Sequence, residues 1–146
     1  QSKKIKLSDR CVMQLDKRQN SELIKTGRNT YTTIDGKKGF VITTSKLYKQ
    51  GKREKFWFAY RRNPLKDLKN CEEKYVVYGC KDEKTLVMFP VSFIEDHLDN
   101  INYSKDDDDI ITHWHIVFFK DDDNTISWMM SKPCIREIDI SNYLIQ

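Results

Sequence analysis

The sequence predicts an α+β domain, a mainly antiparallel, partly closed β-barrel with short peripheral helices. Three observations predict it. Aromatic residues make up 12% of the 146 residues, and aromatic side chains favour the half-buried surface of a strand. Roughly seven runs of strand length and strand composition are separated by turn-forming residues. Most neighbouring runs are joined by connections of hairpin length, which makes adjacent strands antiparallel. Helices at the remaining connections, with curved strands, favour partial closure into a barrel.

The elements follow in order. Residues 1 to 27 read as a helix with a basic lead-in, with Ser8 as N-cap, Val12, Leu15, Leu23 and Ile24 as a thin apolar stripe, and Gly27 as stop. A short strand, Thr30 to Ile34, ends in the Asp35-Gly36 turn, a strong hairpin signal. Two runs, Phe40 to Thr44 and Phe56 to Tyr60, flank a polar turn region holding Lys46, Lys49, Lys52, Arg53 and Lys55. Period-2 alternation sets Phe56, Phe58 and Tyr60 on one face of the second run, Trp57 and Ala59 on the other. Asn63-Pro64 opens a short helix to Lys69. Strands over 74–80 and 84–89 turn at Lys81-Asp82, and Ser92 to Asn100 reads as an amphipathic helix. Strands 110–120 and 125–130 form a hairpin through Asp121 to Asn124, followed by a last strand at 135–138 and a closing helix at 141–144. The expected division is an N-terminal helix or linker over 1–28 and a barrel-like binding domain over 29–146.

Composition bounds the function. The net charge is +4, with Lys and Arg concentrated before residue 63 and acids concentrated at Asp106 to Asp109 and Asp121 to Asp123. That asymmetry predicts a basic face and an acidic face, as expected of a surface that meets a polyanion. No apolar run approaches the roughly 18 residues of a membrane span, and no signal-peptide pattern opens the chain. The first residue is Gln1, which points to a processed or excised piece of something longer. The four cysteines, Cys11, Cys71, Cys80 and Cys134, show no zinc spacing and read as free thiols of a reducing, cytoplasmic compartment.

Few constellations carry chemistry. His113 and His115 share one strand face, opposite Trp114, Ile116 and Phe118, and could serve a metal if His97, Asp107 or Asp109 joined them. The aspartate runs lack the alternation of a calcium loop and read as solvated. Glu72-Glu73-Lys74, with Asp67 before it, gives the spelling of a metal-dependent nuclease site without the crossover helix expected of that core. No nucleophile elbow, phosphate-binding loop or dinucleotide turn is present, and no catalytic residue, metal or cofactor is assigned.

Binding remains. Lys46, Lys49, Lys52, Arg53, Arg61 and Arg62 are the expected phosphate contacts, and Trp57, Tyr60 and Trp114 the candidates for base stacking. The segments SKLYKQGKREKFWFAYRRNPLKDL, KYVVYGC, LVMFPVSFIEDHL and HWHIVFF give residues 30–145 a strand rhythm that resembles the PUA-like and B3-like barrel modules attached to bacterial restriction and defence proteins. That resemblance implies recognition of DNA, including a modified base held in an aromatic cage. It would make Trp57, Tyr60 and Trp114 the cage and the Lys46 to Arg53 loop a groove or backbone contact. The expected function is therefore a non-catalytic DNA-binding domain of a restriction or defence protein. Its expected partners are double-stranded DNA and an upstream nuclease or motor domain, with no membrane. A protein-interaction module is the alternative, ahead of a metal-dependent nuclease. Within the hairpin the basic turn, rather than the aromatic strand, is the expected functional part, because no structural role is evident for so many cations.

Overall fold

In the α1 helix (Leu7–Gln19), Cys11 and Leu15 stand one turn apart and are fully buried, so a narrow stripe suffices to dock it. The helix stops at Asn20, whose left-handed backbone lets its N–H return to the carbonyls of Asp16 and Lys17. This is a computed structural model, and it describes residues 6–20, 22–45, 47–82 and 84–145.

Twelve strands follow: β1 (Ile24–Lys25), β2 (Thr30–Thr32), β3 (Lys38–Ser45), β4 (Tyr48–Gln50), β5 (Arg53–Tyr60), β6 (Glu73–Cys80), β7 (Leu86–Pro90), β8 (Tyr103–Lys105), β9 (Ile111–Lys120), β10 (Ile126–Met130), β11 (Arg136–Asp139) and β12 (Leu144–Ile145). Short helical turns connect them: a 3-10 helix at Asn63–Leu68, the α2 helix at Val91–Glu95, and 3-10 turns at Leu98–Asn100 and Ser141–Tyr143. The strands form two sheets. One runs β1-β2-β3-β6-β7-β12, the other β11-β10-β9-β5-β4 with β8 also paired to β9. The β3–β6 pair is parallel and all the other pairings are antiparallel.

The α+β class and the mainly antiparallel pairing are as the sequence predicts. Barrel closure is not: among the described residues no ladder joins the two sheets, and both stay open. The sheets instead pack face to face. Phe56, Phe58 and Tyr60 of β5 and Trp114, Ile116 and Phe118 of β9 meet Val41, Val76, Tyr78, Val87 and Phe89 from the opposite sheet. Phe58 lies 4.7 Å from Tyr78 and 5.4 Å from Phe118 between ring centroids, a tilted aromatic cluster. Alternate residues of the first sheet face the other way, so Phe40, Ile42, Val77 and Leu86 make a second core with Cys11 and Leu15. The order of layers is helix, sheet, sheet. Gly79 permits the helix contact, since a Cβ there would lie 2.8 Å from Cys11 Sγ. The N-terminal helix is thus docked on the sheet and shares a core with it. No described helix is long and apolar enough to cross a membrane.

Candidate nucleic-acid interface

β4 and β5 form a hairpin across the two-residue turn Gly51-Lys52, with Tyr48 opposite Lys55 and Gln50 opposite Arg53. Gly51 has φ +65°, a conformation that its missing Cβ makes inexpensive in a tight hairpin. β5 then pairs along β9 from Glu54–Lys120 to Tyr60–Trp114. Because side chains alternate, Lys55, Trp57 and Ala59 face outward with His113, His115, Val117 and Phe119.

Trp57 is the aromatic that the outer face presents, at 39% exposure, with Tyr48 beside the hairpin at 51%. The residue is held by its backbone and by two contacts to its indole. Its backbone N–H donates to Ser45 Oγ (3.1 Å), and its Nε1–H donates to His115 Nδ1 (3.2 Å). The second bond leaves Nε2 of His115 to carry the ring hydrogen toward Ser104 Oγ, 2.8 Å away. His113 meets the indole edge-on with centroids 6.3 Å apart, and sits 5.0 Å from His115. Burial, the Arg61 charge and His115 lower the His113 pKa, which favours its neutral ring. An indole fixed by its own N–H and a neighbouring ring is a preorganised stacking surface.

The cations divide sharply. Lys49, Lys52, Lys55 and Arg61 make no ion pair among the described residues. Arg53 is fully engaged. It donates to both carboxylate oxygens of Asp121 (2.6 and 3.3 Å) and both of Glu137 (2.9 and 2.6 Å), while its guanidinium lies 4.5 Å from the Phe119 ring centroid. Arg62 likewise grips Glu95 with two hydrogen bonds and stacks 4.7 Å from the Trp114 centroid. Arg53 and Arg62, both expected as phosphate contacts, are therefore each held by carboxylates and an aromatic ring within the fold. A structural role for part of the basic turn exists after all. Lys46 lies outside the described residues.

The stacking candidates divide in the same way. Tyr60 is 2% exposed and Trp114 8% exposed, both on the inward face. Tyr60 donates its hydroxyl to Glu95 at 2.6 Å, and burial together with that bond pushes its pKa far up. Burial acts to raise the Glu95 carboxyl, but the bonds from Arg62 and Tyr60 outweigh it and leave the pKa lowered. Trp57, Tyr60 and Trp114 do not form a cage. Trp57 stands apart, on the other side of the sheet.

The expected split into basic and acidic faces also fails at the hairpin tip. Asp121 and Asp122 share a cleft of about 330 Å³ with Lys49 and Lys52. His113 and His115 do come together, but among the described residues no three His, Cys, Asp or Glu side chains gather as a metal site. Glu73 of the nuclease-like spelling accepts the Tyr75 hydroxyl at 2.8 Å and lines a surface cleft with Glu72 and Lys74. None of the four cysteines is in a disulfide among the described residues, and Cys11 and Cys80 are buried.

Tyr48 and the supporting groups Ser45 and Ser104 were not among the expected residues. Tyr48 has a signal in the sequence: Gly51 punctuates a hairpin whose register sets it against Lys55. The serines have none, because their role comes only from a neighbouring strand.

No family model, curated protein or solved structure matches this chain.

Proposed function

We propose that the domain binds DNA without catalysing a reaction, stacking an unpaired base on Trp57 and holding phosphates with Lys49, Lys52, Lys55 and Arg61. The observation that carries this reading is the Trp57 indole, exposed on an open sheet face, fixed by His115 and His113, and bordered along its own hairpin by cations that make no ion pair among the described residues. Base stacking on such a ring is worth about 1–3 kcal/mol and tolerates any base. The free cations add affinity that is independent of sequence and sensitive to salt. Membership of a restriction or defence protein, and selectivity for a modified base, belong to the same proposal and rest on the strand rhythm of residues 30–145.

Fluorescence polarisation with labelled single-stranded and duplex oligonucleotides, read across a salt series, tests it. Four phosphate contacts predict a log–log slope of about −3 on a single strand, taking roughly 0.7 per contact. Trp57→Ala should weaken binding about tenfold or more with the slope unchanged, while Lys49→Glu with Lys52→Glu should flatten the slope. Absence of binding at low salt, or binding indifferent to Trp57→Ala and to salt, rejects the reading.

A further inference from the structure

The two sheets part along a seam between β3 and β5. On its seam edge β5 is paired with β4 only from Arg53 to Lys55, and among the described residues no strand is paired to Phe56–Tyr60 there. On the seam edge of β3, β2 reaches only to Val41, with one further bond from Ile42 N–H to the Asn29 carbonyl. A side chain bridges the gap at its narrow end, where Ser45 Oγ accepts the Trp57 N–H that a neighbouring strand would otherwise take. Two clefts of about 280 and 120 Å³ lie along the seam and share Thr43 and Ala59. The Thr43 hydroxyl is buried there without a hydrogen-bond partner. No acidic residue lines either cleft, and Arg61 lines one of them.

We propose that this seam receives an extended peptide segment carrying acidic residues, which pairs with the open edge of β5 as an added strand. An unpaired strand edge is a template for another chain, and natural sheets ordinarily cover or charge it. The bond made by Trp57 N–H to Ser45 shows which way this edge faces: N–H groups of Trp57 and Ala59 point away from β9, into the seam. Lys55 and Arg61 stand about 20 Å apart at the two ends of the edge by strand rise, and neither makes an ion pair among the described residues. Main-chain bonds along Ala59 would give affinity, and the two cations would select carboxylates at the peptide's ends. The ligand is a protein segment, distinct from the oligonucleotide proposed for the outer face.

The probe is an acetylated, amidated peptide alternating Val and Thr, with Glu at both ends, titrated while Trp57 fluorescence and backbone amide exchange are followed. Saturable binding that slows exchange at the Ala59 and Arg61 amides supports the proposal. Exchange at those amides that is unchanged at saturation overturns it. Two peptides N-methylated on alternate residues separate a strand pairing from a general contact. The one methylated on the pairing edge should bind roughly tenfold or more weakly, and the other should bind as the parent does. Equal binding by both overturns the pairing. Arg61→Glu should weaken the Glu-ended peptide and favour a Lys-ended one, whereas indifference to the swap overturns the acidic selectivity. Lys55 and Arg61 serve both readings, so peptide and oligonucleotide are titrated separately: absence of peptide binding with oligonucleotide binding intact rejects this inference alone, and the reverse result rejects only the DNA reading.

Discussion

The two faces of β5 differ by one residue in register and by nearly everything in environment. Inward, Phe56, Phe58 and Tyr60 are all within 2% of full burial and meet the opposite sheet. Outward, Lys55 and Ala59 are half-buried and Trp57 is exposed. The outer face is not uniformly open, however. Val117 and Phe119 are buried on that side, Phe119 beneath the Arg53 guanidinium. A large aromatic left uncovered where its neighbours are covered is the more informative for that contrast. The same composition thus serves packing on one side and presentation on the other, and only register decides which.

The contrast breaks most visibly in the core. Phe58→Ala should cost about 3–5 kcal/mol in urea unfolding, since the ring is enclosed by Tyr78 and Phe118 and little can collapse into its space. Trp57→Ala, one residue away, should leave the urea midpoint nearly unchanged while weakening oligonucleotide binding. Equal destabilisation by the two substitutions would mean that Trp57 is part of the packed structure.

Much of this was readable in the chain. The alternation in β5 and β9 assigns every face correctly, because a period of two is a local property. The hairpin turns at Asp35-Gly36 and Asp121 to Asn124 also carry their own chemistry. What could not be read depends on residues far apart in sequence. Arg53 meets Asp121 and Glu137 across 68 and 84 positions, and no local pattern distinguishes it from Lys52. The parallel pairing of β3 with β6, and hence the division into two open sheets, likewise arises from a long connection through β4, β5 and a 3-10 helix. Tyr60 and Trp114 followed the core rule. Their rings lie on the same face as Phe58 and Ile116, which was itself the evidence against a cage.

The clamp at the hairpin tip gives a smaller effect. Arg53→Ala removes four hydrogen bonds at groups that are each about a third exposed, so screening limits the loss to about 1–2 kcal/mol. It also has a pH signature. Hydrogen bonds from Arg53 and then Ser127 depress the Glu137 pKa to about 2 from an ordinary value of 4.5. The contribution is therefore present above about pH 4.5 and is lost as pH falls through the folded-state value near 2. Thermal melts of the wild type should show this loss in acid, and in Arg53→Ala that part of the pH dependence should shrink to what the Ser127 bond retains. An unaltered acid limb would show that Arg53 does not control Glu137.

The smallest difference is also the sharpest, because it lies between adjacent residues of one type. Arg62 is bound to Glu95 and stacked on Trp114; Arg61 makes no ion pair among the described residues and lines a cleft with Thr43 and Ala59. Arg62→Ala should lower stability by about 1 kcal/mol through the lost exposed pair and cation–π contact. The salt slope of oligonucleotide binding should stay as it was, since the Arg62 charge is already matched by Glu95. Arg61→Ala should do the opposite, leaving the melting temperature unchanged and reducing the salt slope by about one contact, roughly 0.7–0.9. A single electrostatic measurement on two neighbouring arginines thereby separates cations that hold the fold from cations that face a ligand. If both substitutions lower the slope alike, the Glu95 pair opens when DNA binds, and Arg62 joins the interface instead of bracing the sheet beneath it.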